Sequence, residues 1–283
     1  MFPRTTVGGL SLSRMIIGTN WILGYSHKSA ADDELIRLRN NNREATAEII
    51  EIFLEQGVDT IMAPIAGNQA LVEGIQLAEQ RTGKRVYRVD TPIVNVSDSK
   101  DDRAAALATI KSCKDVGADF CLLHHSSCEQ LVNKNTRTIN RLPDYTSMIR
   151  DCGMIPGLSA HMPEIIVYSD ENEYDVETYI QIYNSLGFLM QIEVESVHRI
   201  IHNAKKPVMT IKSMAAGRQT PFVGLNFSFN TLRECDMVTV GCLTPAEARE
   251  DIEIGLAAIE RRRPNLSGRS SPNKNTAVLE EKK

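Results

Sequence analysis

Ser13-Arg14-Met15-Ile16-Ile17-Gly18 is a short apolar run that stops at a glycine. Seven runs of the same kind follow it: Val58–Met62, Val86–Asp90, Phe120–His124, Ile155–Ser159, Thr178–Tyr183, Val208–Ile211 and Met237–Val240. Short apolar segments bounded by Gly, Pro or polar clusters are the pattern of parallel strands buried on both faces. Helical patterns lie between many of them. Ala45–Glu55 repeats apolar residues at Ile49, Ile50, Phe53 and Leu54, and Asp101–Val116 opens with acidic residues and stops before Gly117. Ala246–Arg261 follows Thr244-Pro245, an N-cap threonine with proline at the first helical position. Eight strands with intervening helices predict a (β/α)8 TIM barrel. A doubly wound open sheet is the structural rival, but no GxGxxG follows the first strand.

The length of 283 residues fits one such barrel, and 42% hydrophobic content supplies its core. Residues 1–263 read as a single barrel domain and 264–283 as a polar Pro/Ser/Asn-rich tail. The 32 basic side chains are outnumbered by 36 acidic ones, which argues against a nucleic-acid footprint or a polybasic membrane anchor. There is neither an apolar run of transmembrane length nor a signal-peptide pattern after Met1. Six scattered cysteines without a CxxC pair read as reduced thiols, so a cytoplasmic protein is expected. The expected partner is a small-molecule substrate, and self-association into a homo-oligomer stays open.

Several stretches resemble the aldo-keto reductases, in the order that family would place them. Pro3–Thr19 is similar to the family's opening, in which a β-hairpin (here around Thr6–Leu12) closes the barrel floor before the first barrel strand. Gly57-Val58-Asp59-Thr60 with Gly67-Asn68 resembles the second strand and its loop, Leu122-Leu123-His124-His125 the fourth strand, and Gly157-Leu158-Ser159-Ala160-His161 the fifth. Lys212-Ser213-Met214-Ala215-Ala216-Gly217 and Val240-Gly241-Cys242-Leu243-Thr244-Pro245 resemble the seventh- and eighth-strand loops. The resemblance runs from about residue 4 to residue 260 and implies the barrel.

It does not carry over the family's Asp, Tyr, Lys and His. Met62 stands in the place of the Asp, Ile65-Ala66 in that of the Tyr, and Asp90-Thr91 where the Lys would be; only His124 matches. The basic cluster that grips the nucleotide phosphate is missing as well, since Thr244–Glu250 offers a single Arg249. Fold does not dictate function.

Active sites of these barrels lie at the C-terminal ends of the strands. The polar residues there are Asp90, His124, His161 and Lys212, with Asn184 nearby and Asn20, Trp21, Tyr25 and His27 on the first loop. Strand alternation puts Ser159 with His161, Thr210 with Lys212, and Arg88 with Asp90. If those faces turn inward, Asp90, His161 and Lys212 meet. If Leu122 also faces in, His124 joins them and His125 points to the helices.

Asp90, His124 and His161 offer the oxygen and nitrogen ligands that suit a divalent Zn, Mn or Fe. Without a metal, an imidazole serves as acid or base near neutrality, and Lys212 stabilises an oxyanion or forms a Schiff base. Asn20, Trp21, Tyr25, His27 and Asn184 would contact a polar, sugar-like substrate. The leading expectation is therefore a non-redox isomerase, lyase or hydrolase of carbohydrate metabolism. The alternatives are a divergent NAD(P)-dependent oxidoreductase and a catalytically silent binding or scaffold barrel.

Asn20–Asn42, more than twenty residues after the first strand, is expected to be either a mobile lid or a packed loop that widens the rim. His198 and His202 have i,i+4 spacing but lack the flanking Glu of a zinc helix, so a solvated helix face accounts for them.

Overall fold

The computed structural model describes residues 1–266; most of the tail expected from residue 264 lies outside the described residues. The chain opens with a hairpin, β1 (Arg4–Val7) and β2 (Leu10–Ser13), turning at Gly8 and Gly9. Both glycines have positive φ, +54° and +83°, as a two-residue hairpin turn requires. Its inner residues Val7 and Leu12 plug the bottom of the barrel.

The barrel strands are β3 (Met15–Gly18), β4 (Thr60–Ala63), β5 (Tyr87–Asp90), β6 (Phe120–Leu123), β9 (Ile155–Ala160), β10 (Tyr179–Ile182), β11 (Val208–Ile211) and β12 (Met237–Gly241). A second small hairpin, β7 (Val132–Asn133) and β8 (Thr138–Ile139), sits between β6 and β9. All eight barrel strands are parallel, and the sheet closes through the β9–β10 and β12–β3 pairings. Every run read as a strand is one, with ends shifted by a residue or two.

Around the barrel run α1 (Asn20–Leu23), α2 (Ala30–Asn40), α3 (Arg43–Glu55), α4 (Gln69–Thr82), α5 (Lys100–Asp115), α6 (His125–Cys128), α7 (Leu142–Asp151), α8 (Glu164–Glu171), α9 (Val194–Asn203), α10 (Pro221–Thr231) and α11 (Pro245–Glu260). Side-chain oxygens cap five of them. Ser29, Asn42, Ser99, Thr220 and Thr244 each accept a hydrogen bond from the backbone N–H three residues on. No helix among the described residues is long and apolar enough to cross a membrane. All six cysteines are free.

The core has an inner and an outer layer. Ile16, Met62, Val89, Phe120, Leu122, Ile180, Met209 and Met237 fill the barrel, and larger apolar clusters lie between the strands and the helices. This fixes which parity of each strand faces inward, and so which strand-end side chains reach the mouth.

The segment Asn20–Asn42 is mostly helical and packed. Ile36 is buried, and Asn40 Nδ2 donates to Trp21 O at 2.9 Å and Leu243 O at 3.0 Å. This packing is the arrangement that a rim-building loop calls for.

Candidate functional site

A cavity of about 1010 Å³ opens at the C-terminal ends of the strands. His124, His125 and His161 line one side of it and Lys212 and His27 another, with Asn20, Trp21 and Tyr25 towards the rim. Apolar wall comes from Met62, Pro64, Ile93, Ile180 and Ile211. The start of α11 adds Glu247, Glu250 and Asp251.

His124 and His161 reach the cavity by strand parity, continuing the inward faces of Leu122 and Ser159. His124 also caps α6, its Nδ1 accepting from Ser126 N at 3.3 Å. His125 lines the cavity too, against the expectation that it faces the helices. α6 begins at His125, so strand alternation no longer governs its direction. The rings of His125 and His161 stack with centroids 3.8 Å apart, and His124 lies 4.2 Å from His125. Burial pushes His161 down to about 3 and His124 to about 4, and neighbouring cationic groups add to this. At neutral pH all three imidazoles are uncharged, His125 being lowered by burial as well.

Lys212 arrives by a different route. Met209 and Ile211 face the barrel interior and Val208 the outer layer, so regular alternation would send Lys212 outward. The backbone instead takes φ +63° at Lys212, a left-handed conformation rare for a side chain with a Cβ, and the amine turns into the cavity. The premise that Thr210 points inward is corrected: its hydroxyl donates to Met237 O at 2.9 Å within the sheet.

The Lys212 ammonium donates to His27 Nε2 at 2.8 Å, and Asn20 Nδ2 donates to the same nitrogen at 3.2 Å. Two donors aimed at Nε2 place the imidazole hydrogen on Nδ1. No carboxylate among the described residues pairs with Lys212, and burial lowers its pKa to about 8.

Two expected site residues lie elsewhere. Val89 and Tyr87 take the inward positions of β5, so Asp90 faces outward and is absent from the cavity wall. Its oxygens accept from Ile65 N at 3.0 Å and Ala66 N at 2.9 Å, holding the loop after β4. Asn184 is fully buried. Its side chain accepts from Leu186 N and Phe188 N and donates to Phe188 O, which folds the turn after β10. The expected metal triad is thereby undone. Among the described residues no group of three or more His, Cys, Asp or Glu is placed to hold a metal ion. His198 and His202 sit on α9, where His198 Nε2 contacts Thr231 O at 3.0 Å.

Four contributors were missed. Ser213 Oγ is buried without a hydrogen-bond partner among the described residues, on a loop where Lys212, Ala215, Ala216 and Gly217 all have positive φ. Arg218 also lines the cavity wall and donates to His27 O at 3.3 Å. Asp251 is 3% exposed, and no hydrogen bond or ion pair from the described residues reaches its carboxyl group. Burial, with Glu247 and Glu250 near, raises it to about 8. Glu247 also accepts from Leu243 N at 2.6 Å. The Thr244-Pro245-Ala246-Glu247 capping signature was the available signal, because it sets the start of α11 directly after a barrel strand.

No family model and no curated protein matches the chain. Solved structures do. A Pseudomonas aeruginosa protein assigned provisionally to the aldo-keto reductases superposes with a TM-score of 0.63 at 16% identity, over 90% of this chain and 96% of that one. The fold is that of an aldo-keto reductase barrel. A Klebsiella pneumoniae aldo-keto reductase in complex with NADPH gives 0.60 at 13% identity, covering 94% and 92% of the two chains. A glycerol dehydrogenase from Gluconobacter oxydans gives 0.59 at 11%, covering 95% and 99%. The leading expectation of a non-redox isomerase, lyase or hydrolase is corrected by these neighbours, which are named as aldo-keto reductases and a dehydrogenase.

Proposed function

We propose that the protein is a nicotinamide-dinucleotide-dependent oxidoreductase that interconverts a carbonyl and an alcohol, with Lys212 rather than a tyrosine handling the proton. The observation that carries this reading is the Lys212–His27 hydrogen bond of 2.8 Å inside the cavity of an aldo-keto reductase-type barrel. The barrel lacks the family's Asp, Tyr and Lys at their usual places, so another donor is required.

The residues present suit the dinucleotide. Ser213 Oγ, buried and unpartnered among the described residues, and Arg218 on the same cavity wall fit a diphosphate, which accepts hydrogen bonds and carries negative charge. The wall from α11 carries Glu247, Glu250 and Asp251 and no basic side chain, which suits hydroxyl groups and disfavours an additional phosphate. The unphosphorylated dinucleotide is therefore the form this chain favours. When bound, it supplies or accepts the hydride.

For reduction, the Lys212 ammonium donates a proton to the developing alkoxide, and with a pKa near 8 it is close to matched for that task at neutral pH. The uncharged imidazoles of His124, His125 and His161 orient the carbonyl by hydrogen bonds, without the repulsion that three imidazolium ions would impose. The apolar wall favours an apolar carbonyl compound over a sugar. An open cavity with Lys212 free of ion pairs among the described residues also speaks against a silent scaffold.

Titration with NADH and NADPH, followed by nicotinamide fluorescence, tests this. Saturable binding with NADH the tighter ligand, weakened by Arg218→Ala, supports the reading. An unchanged signal for both dinucleotides at millimolar concentration ends it.

A further inference from the structure

We propose that Lys212 also forms a reversible imine with aliphatic aldehydes inside the cavity, a covalent reaction that needs no dinucleotide.

Three features of the geometry place a nucleophilic amine there. Lys212 is the lysine among the residues lining the cavity, brought in by its left-handed backbone. Its nitrogen has no anionic partner among the described residues, so no neighbouring carboxylate holds it charged. Its neighbour at 2.8 Å, His27 Nε2, presents a lone pair along the line of the hydrogen bond. Desolvation acts in the same sense, favouring the neutral amine that attacks carbonyls.

The ligand class follows from the wall. Met62, Ile180 and Ile211 line the cavity with Lys212, and Tyr25 and Ile93 stand at its rim, 50% and 66% exposed. A straight-chain aldehyde can rest its chain on these groups, whereas a polyhydroxylated one would leave its hydroxyls facing hydrocarbon.

The chemistry balances without an oxidant or reductant. The ammonium proton passes to His27 Nε2, and the freed lone pair on Nζ forms a C–N bond to the carbonyl carbon. The oxygen takes a proton from that nitrogen to give a neutral carbinolamine. The His27 imidazolium then returns its proton to the hydroxyl group, the nitrogen lone pair forms the C=N bond as the C–O bond breaks, water departs, and a protonated imine remains. Hydrolysis reverses each step.

The test uses the full-length protein without any dinucleotide, n-hexanal as the probe, and cyanoborohydride to fix the imine as a secondary amine. Peptide mapping by mass spectrometry reads the site. At pH 7.5 an amine with a pKa near 8 has on the order of 10²-fold more neutral form than an ordinary lysine, though lower basicity trims its nucleophilicity. Lys212 should therefore be alkylated at least ~10-fold faster than any other lysine. His27→Ala should slow that labelling at pH 7.5 and lose its effect by pH 9.5, where the amine sheds its proton unaided. Lys212→Met, with an unchanged circular dichroism spectrum, should show no fast adduct.

Equal labelling of surface lysines, or a fast adduct that persists in Lys212→Met, overturns the proposal. Should that variant fail to fold, the wild-type peptide map alone decides. Because no dinucleotide is present, a negative result here is independent of the NADH titration.

Discussion

Lys212 Nζ and His27 Nε2 lie 2.8 Å apart although 185 residues separate them, one at the end of β11 and the other between α1 and α2. The pairing joins the last third of the barrel to its first loop, past β12, which lies between β11 and β3 in the sheet. It also sets the direction of proton traffic, since Asn20 donates to the same imidazole nitrogen and leaves it an acceptor.

The pH profile of carbonyl reduction should report this amine. Proton donation needs the ammonium form, so with a pKa near 8 the rate should hold below that pH and fall above it. Alcohol oxidation needs the amine and should show the reverse. Lys212→Met should lower kcat/KM for reduction by about 10²–10⁴-fold and abolish the break near pH 8. Steady-state kinetics over pH 6–10 with NADH checks both; a break that survives the substitution would remove Lys212 from the proton transfer.

The imidazole cluster should make the fold acid-sensitive. His161 titrates near 3 and His124 near 4 in the folded protein, against 6.5 ordinarily. Between these limits the unfolded chain binds more protons, so stability should fall as pH drops from about 6.5 towards 4. His161→Gln, which cannot charge, should flatten this part of the curve. Thermal melts at half-unit pH steps measure it, and equal slopes for the two proteins would contradict the assigned burial.

Asp251 should act with the opposite sign. Its folded pKa near 8 lies above the ordinary 3.8, so the folded state holds a proton that the unfolded state has released between those values. The contribution is complete below about 3.8 and is lost as pH rises through 8. The rise in Tm on Asp251→Asn should be small at pH 5, just above the ordinary value, and several-fold larger at pH 8.5, above both values. Scanning calorimetry at the two pH values tests the difference, and an equal effect at both would refute it.

Gly157 faces the barrel interior with no space for a side chain. A Cβ there would stand 2.7 Å from Leu122 Cγ and 2.8 Å from the backbone oxygen of Thr178. Gly157→Ala should therefore destabilise by about 1–3 kcal/mol through overpacking. Urea unfolding reads this as a lower midpoint, and a midpoint equal to that of the wild type would show that the strands give way freely.

Legibility followed the physics of each element. The eight strands were readable because buried parallel strands are continuous apolar runs, whereas the floor hairpin was expected only from the resemblance to the aldo-keto reductases. His124 and His161 were readable because alternation persists to the ends of β6 and β9. Alternation predicts nothing once the backbone leaves the strand. Lys212 reached the cavity only through a positive φ, His125 only because a helix starts at it, and both events are set by tertiary contacts. Asp90 was misplaced for a simpler reason: the sequence Tyr87-Arg88-Val89-Asp90 does not say which of its two faces is inner. The packing of Val89 decides that.

Asp90 thus offers the sharpest contrast between a chemical and a structural role. Its carboxylate is buried, turned away from the cavity, and accepts two backbone N–H groups from Ile65 and Ala66. Asp90→Ala would leave both donors buried and unpaired, each costing about 1–3 kcal/mol. Asp90→Asn keeps one acceptor oxygen, so its loss should be roughly half as large. Because Pro64 at the start of that loop lines the cavity, a shift there should raise KM more than it lowers turnover. The expected outcome is a protein that melts earlier yet retains its turnover per folded molecule, with Asn intermediate between Asp and Ala. Urea unfolding alongside active-site-normalised kinetics provides the comparison. Turnover reduced by about two orders of magnitude or more, with stability intact, is the loss a proton-transfer group would show, and it would return Asp90 to the reacting centre.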